Sequence, residues 1–128
     1  MTAQSNDKVF TPGPSRVFVF GSNEAGIHGA GAAKEAYKQY GAVLGVGEGL
    51  QGQSYAIPTK DKNIATLPLP IVCAYVRKFL TFADNNPELH FFVTRIGCGL
   101  AGYTDMDIAP MFRGAPSNVE LPHFWETL

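Results

Sequence analysis

Hydrophobic and polar positions along the chain follow two periods, which predict strands separated by helices. Apolar and β-branched residues cluster over 16–20, 54–57 and 89–96, a pattern typical of buried strands. Between them, apolar or small residues recur at helical spacing over 30–40 and 71–84. The order of these segments indicates an α/β fold.

Local signals set the expected ends of these elements. Gly41 suits the position after the first helix, and Pro58 is expected to stop the second strand. Thr104 and Asp107 have the spacing of a capping box, which predicts a third helix that ends before Gly114. We expect an irregular stretch over 41–53 and a short last strand over 118–121. The expected helix faces comprise Ala32, Ala33, Ala36, Tyr37 and Tyr40 in the first helix, and Ile71, Val72, Tyr75, Phe79 and Phe82 in the second.

Together these elements predict a single α/β domain over 15–128, with one mixed sheet flanked by helices in three layers. Residues 1–14 are polar and end in a Pro-Gly-Pro turn, so we expect a flexible arm. The net charge of −1 argues against a protein held to nucleic acid by phosphate contacts. The chain has no signal peptide pattern and no apolar run of membrane-spanning length, so we expect a cytoplasmic protein with no membrane partner. Cys73 and Cys98 form no CxxC pair, so we expect no metal, while a disulfide stays open.

Two glycine-rich loops follow predicted strands and carry most of the candidate chemistry. The carboxyl edge of an α/β sheet, where such loops lie, is where these folds bind ligands. The first loop opens a helix, whose free N–H groups favour an anion such as a diphosphate. Its candidate ligand-binding residues are Gly21, Ser22, Asn23, His28, Gly29, Ala30 and Gly31. Those of the second loop are Gly97, Cys98, Gly99, Leu100, Ala101, Gly102 and Tyr103.

Several of these residues also have a plain structural interpretation. Asn23 suits sugar hydroxyls or a turn, and His28 suits a ligand contact, a general base or a packed side chain. The small residues at 29–33 either admit a ligand or let the helix pack closely on the sheet. Lys60 lies at the ligand edge if its strand is parallel to the first, or else in a solvated turn. Residues 47–52 match G-x-G-x-x-G, but they lead into a strand and not a helix, so we interpret them as a loop that is free to contact substrate.

The motifs resemble those of macro domains. The first is Val19-Phe20-Gly21-Ser22-Asn23 with the small-residue run 28–33, the second is Tyr55-Ala56-Ile57-Pro58-Thr59-Lys60, and the third is Arg95-Ile96-Gly97-Cys98-Gly99-Leu100. The pattern is most similar to the small branch that includes the terminal ADP-ribose protein glycohydrolase and the DNA de-ADP-ribosylating antitoxins. The resemblance extends over roughly residues 16–121.

This resemblance implies a macro-domain-like fold that binds ADP-ribose. Asn23 would face the distal ribose, and the residues at 29–33 would line the loop beside it. The backbone of 97–100 would bind the phosphates. Tyr103 or Phe20 would stack on the adenine, with core packing as the alternative for Phe20. The implied partner is ADP-ribose or an ADP-ribosylated substrate, including nucleic acid only where it carries that group, and no separate cofactor is implied.

The same resemblance leaves catalysis open. Catalytic members carry a lysine that attacks the ribose carbon, which Lys60 matches, and an acidic residue where this chain has Ala101. Asp105 and Asp107 follow closely enough to assist as acid or base, although acids in the first turn of a helix also stabilise it. One hypothesis is an ADP-ribosyl hydrolase with Lys60 as nucleophile and Asn23 orienting the ribose. The alternative is a non-catalytic reader or sequestering protein for ADP-ribose-type nucleotides, and a third is an interaction protein that shares only the fold.

Overall fold

Five strands form one mixed sheet in the computed structural model, which describes residues 8–127. They are β1 (Arg16–Asn23), β2 (Gly49–Gln51), β3 (Ser54–Lys60), β4 (His90–Val93) and β5 (Val119–Glu120). Their order across the sheet is β2-β3-β1-β4-β5. Only β2 runs antiparallel to its neighbour, so the carboxyl ends of the four other strands lie at one edge.

The helices cover both faces of this sheet and confirm the predicted three-layer α/β architecture. They are α1 (Gly31–Gln39), α2 (Leu69–Asp84) and the short α3 (Asp105–Ile108), followed by 3₁₀ segments at Ala109–Phe112 and His123–Thr127. Alternate side chains of β1 point to opposite faces. Phe18 and Phe20 pack with α1, while Val17 and Val19 pack with α2. Within the described residues, no helix has the length and apolar character needed to cross a membrane.

The observed strands differ in length from the predicted ones. β3 continues through Pro58 to Lys60, so the expectation that proline stops it is wrong. A proline is tolerated there because β2 pairs with β3 only as far as Ala56, which leaves one side of Pro58 without a strand partner. β1 likewise continues into the predicted loop and ends at Asn23, after a register shift. β4 is shorter than expected and ends at Val93.

Other expectations were wrong where tertiary contacts decide the structure. The stretch 41–53 is not wholly irregular, because it contains β2 in a hairpin with β3. Tyr37 and Ile71 lie on exposed helix surfaces instead of the apolar faces. Of the predicted arm, residues 1–7 lie outside the described part. Within residues 8–14, Phe10 packs on the domain and contacts the rings of Phe18, Tyr40 and Phe92.

Predictions based on helix-end chemistry are confirmed. Gly41 follows α1 with a φ of 80°, a left-handed conformation that favours glycine. Thr104 caps α3 in a complete capping box: its hydroxyl accepts from the Asp107 N–H, and the Asp107 carboxylate accepts from the Thr104 N–H. These ends are read correctly because the interactions that form them are local in sequence.

Candidate functional site

The site is a cleft at the point where two neighbouring parallel strands send their chains to opposite faces of the sheet. The loop after β1 leads to α1 on one face, and the loop after β4 leads to α3 on the other. Such a crevice at the carboxyl ends of the strands is the usual ligand site of open α/β sheets. The cleft has a volume of about 880 Å³, within the usual range for small-molecule sites.

Most of the predicted ligand-binding residues lie in this one cleft. From the first loop it contains Gly21, Ser22, Asn23, Gly29, Ala30 and Gly31, and from the second Gly97, Cys98, Gly99 and Leu100. Lys60 joins them because β3 is parallel to β1 and ends beside it. The folded chain thus brings together three motifs that are widely separated in the sequence.

The end of the second loop turns away from the cleft, contrary to the prediction for Ala101, Gly102 and Tyr103. The carbonyl of Ala101 accepts a hydrogen bond from the Thr66 hydroxyl (2.9 Å), and the Gly102 N–H donates to Gly99 (3.0 Å). The Tyr103 hydroxyl donates to the carbonyl of Leu67 (2.5 Å). The bonds of Thr66 and Tyr103 join the loop to the segment after β3, whereas the Gly102 bond lies within the loop.

The predicted aromatic and histidine contacts are also absent from the cleft lining. Phe20 is fully buried in the core beneath α1, so it does not stack on a ligand. His28 packs edge-on against Phe20, and its Nε2 donates to the carbonyl of Val43 (2.9 Å). Because a carbonyl only accepts, this bond places the proton on Nε2. His28 therefore holds the 41–48 segment against the first loop and does not line the cleft.

The two acidic candidates are engaged elsewhere and do not line the cleft. Asp107 completes the capping box of α3. Asp105 accepts two hydrogen bonds from Arg95, at 2.8 Å from Nε and 2.6 Å from Nη2, and a third from Trp125 Nε1 at 2.5 Å. The hydrogen bonds that Arg95 donates are the main reason why the pKa of Asp105 lies below its ordinary value. An ionised carboxylate with its oxygens occupied in this way is a poor general acid.

Arg95 and Cys98 bring this ion pair to the wall of the cleft. Arg95 lines the cleft while its guanidinium stays paired with Asp105, so its charge is largely compensated. Burial, together with the nearby Asp105 charge, raises the pKa of the Cys98 thiol to about 12. Cys98 is therefore a neutral thiol at physiological pH and not a nucleophile.

Backbone N–H groups without acceptors are concentrated in two parts of the cleft wall. At the start of α1, the N-cap Ala30 provides no side-chain hydrogen bond, and the N–H groups of Gly31, Ala32 and Ala33 donate to no acceptor within residues 8–127. In the second loop the same holds for Gly99 and Leu100. Two sets of N–H donors without protein acceptors, on residues that line one cleft, suit an extended anion.

The polar side chains of the first loop form hydrogen bonds to the protein backbone, so they shape the cleft and are not free to bind a ligand. Both ends of the Asn23 amide bond to the backbone of Ile27, at 2.8 Å and 2.9 Å, so Asn23 forms the turn that was its structural alternative. The Ser22 hydroxyl donates to the carbonyl of Gly47. A Cβ at Gly47 would overlap the backbone of Asn23 and Glu24, which explains a glycine in the G-x-G-x-x-G match without any dinucleotide.

Two charged side chains in the cleft have no hydrogen bond or ion pair within residues 8–127, namely Lys60 and Glu35. Glu35 is not among the residues that the sequence predicted for the site, although it lines the cleft. The other lining residues that were missed are Ile27, Thr59, Ile64, Thr94 and Arg95. Thr94 and Arg95 lie within three residues of the start of the predicted glycine loop, which was a usable signal. Nothing in the local sequence marks Ile64 or Glu35.

The arrangement provides an anion site made of backbone donors, an unpaired lysine beside it and an unpaired carboxylate on α1. Its described residues contain no activated thiol, and the two predicted acids lie outside it in structural hydrogen bonds. No protein-family model, curated protein or solved structure matches the chain.

Proposed function

We propose that this protein binds ADP-ribose or a related nucleotide derivative in the cleft at the carboxyl ends of β1, β3 and β4. The observation that carries the proposal is the pair of free N–H sets, at the start of α1 and at Gly99–Leu100, in one cleft at the strand switch point. A diphosphate offers more acceptor oxygens to these two sets of N–H groups than a single phosphate does.

The remaining features of the cleft are consistent with this ligand. The glycine and alanine residues around 29–33 leave room for a ligand to approach the backbone. Lys60 adds a compact positive charge at the end of β3, and the paired Arg95 adds a partly compensated one. The resemblance to macro domains points to the same ligand class.

A non-catalytic reader or sequestering module is the form of this function that we favour. Ala101 offers no acid, and both Asp105 and Asp107 are held in structural hydrogen bonds. Hydrolysis is the second candidate because Lys60 lines the cleft without a partner, and a lysine of this kind can act as a nucleophile. In a hydrolase, Glu35 would be the carboxylate left to assist, since it lines the same cleft.

Binding is tested by isothermal titration of the protein with ADP-ribose, with AMP as the comparison ligand. We expect ADP-ribose to bind at least ten-fold tighter than AMP, because AMP lacks the diphosphate, and ten-fold corresponds to about 1.4 kcal/mol. Gly99→Glu should abolish binding while folding survives, since Gly99 has no positive φ and open space around its Cβ position. Ser117→Glu adds the same charge at an exposed position outside the cleft and should bind normally. Equal affinity of wild type and Gly99→Glu would exclude this diphosphate position.

Catalysis is tested separately by incubating the protein with ADP-ribosylated protein and ADP-ribosylated DNA and measuring released ADP-ribose. A reader gives no product from either substrate although it binds ADP-ribose. A hydrolase gives product that Lys60→Ala abolishes, with unchanged thermal unfolding of the variant. Turnover that survives Lys60→Ala would exclude the lysine mechanism.

A further inference from the structure

Ile64, in the turn after β3, has a backbone conformation that its side chain disfavours. Its φ is 64°, a left-handed value that is a genuine outlier for a β-branched residue. Strain of this kind persists only where the surroundings fix it, and it is found most often at ligand clamps and active sites. Ile64 is also 42% exposed and lines the cleft. The strained residue therefore presents an aliphatic side chain at the cleft and not in the core.

The turn around Ile64 is fixed by hydrogen bonds on both sides. The Asp61 carboxylate accepts from the N–H groups of Asn63 (2.8 Å) and Ala65 (3.0 Å), and the Ile64 N–H donates to the carbonyl of Asp61 (3.1 Å). Next to it, the Thr66 hydroxyl donates to Ala101 in the second loop. This network compensates the strain and holds Ile64 in one place.

Two further aliphatic side chains line the cleft, on the loops that follow β1 and β4. Ile27 follows β1 and is 55% exposed, and Leu100 follows β4 and is 74% exposed. Among residues 8–127 no aromatic side chain lines the cleft, so the predicted stacking partners of a base, Tyr103 and Phe20, are not available there. The apolar surface that remains is aliphatic and comes from three separate loops.

We propose that Ile64 is a specificity-determining residue that packs against the face of the ligand's nucleobase. This rests on the proposed function, which places a nucleotide derivative in the cleft. Ile64 packs against the ring from the β3 turn, and Leu100 and Ile27 complete the aliphatic surface around it. Because the backbone of the turn is already held by hydrogen bonds to Asp61, binding requires little backbone ordering there.

The test compares Ile64→Asn with wild type on two ligands, ADP-ribose and ribose 5-phosphate, by NMR titration. Asparagine tolerates the left-handed conformation but provides no aliphatic contact. We expect Ile64→Asn to weaken the affinity for ADP-ribose roughly ten-fold, because a half-buried aliphatic contact is lost. Its affinity for ribose 5-phosphate, which lacks a base, should stay within about two-fold of wild type on the same grounds. Its melting temperature should be equal to or above that of wild type, because the φ strain is relieved.

Two controls make the result specific. Ile64→Val keeps a β-branched aliphatic side chain and should bind ADP-ribose like wild type, while Val43→Asn changes an exposed apolar residue outside the cleft and should have no effect. Unchanged ADP-ribose affinity in Ile64→Asn, or an equal loss for both ligands, would overturn the role of Ile64. If wild type binds neither ligand, the proposed function itself fails, which is a distinct outcome.

Discussion

Replacing Asp105 by asparagine should destabilise the domain by separating Arg95 and Trp125 from their common acceptor. The Asp105 side chain is 17% exposed and accepts three hydrogen bonds of 2.5 to 2.8 Å, two from Arg95 and one from Trp125. Asparagine keeps the shape, but it loses the charge and turns an amide group toward the guanidinium. Breaking a buried ion pair costs about 3–5 kcal/mol. Because Arg95 is 35% exposed, solvent screening reduces the expected loss to roughly 2–3 kcal/mol.

Urea unfolding measures this loss, and the protein supplies its own probe. Trp125 is the only tryptophan of the chain, so its fluorescence reports on the segment that Asp105 anchors. A loss of this size lowers the melting temperature of a domain this long by roughly 6–15 °C. Asp107→Asn is the matched control on the same helix. It should lower the free energy of unfolding by less than about 1 kcal/mol, since an asparagine Oδ1 can still accept from the Thr104 N–H.

The pH dependence of the unfolding free energy independently checks that the ionised form of Asp105 stabilises the fold. The folded-state pKa of Asp105 is lowered, so its stabilisation is present above the unfolded value of about 3.9 and is lost as pH falls through the folded value. The difference in unfolding free energy between wild type and Asp105→Asn should therefore shrink as the pH is lowered through this range. A difference below about 0.5 kcal/mol at neutral pH, or one that does not change with pH, would refute the reasoning.

Two further predictions concern close packing and the cleft thiol. Gly26→Ala should lower the free energy of unfolding by about 3 kcal/mol or more, because the new Cβ would overlap the backbone of Gly45 and Val46. Gly114→Ala is also at positive φ but has open space around the new Cβ, so it should lower the free energy of unfolding by only about 1–2 kcal/mol. Urea unfolding compares the two, and equal costs would argue against the close contact at Gly26. In a Cys73→Ser background, Cys98 should react with iodoacetamide near pH 8 far more slowly in the folded protein than in urea, because burial and Asp105 raise its pKa to about 12. Equal rates in the two states would show that the thiol is not protected.

The sequence by itself determined the α/β alternation and the position of the glycine loops. Strand and helix periods depend on neighbouring residues, as do the Thr104 cap and the Gly41 helix end. The two loops could be assigned to one edge because strands connected through helices run parallel. The position of Lys60 at this edge followed from the same rule, because β3 is parallel to β1.

Only the tertiary structure decided which loop residues reach the cleft and which are engaged elsewhere. Tyr103, His28 and Asp105 have partners distant in sequence, at Leu67, Val43 and Trp125, and no local pattern specifies such pairs. Glu35 and Ile64 line the cleft because α1 and the turn after β3 pack beside the two glycine loops. The local sequence around Glu35 and Ile64 does not indicate this packing. Local periodicity fixes which elements form, whereas the side chains that meet depend on how those elements pack.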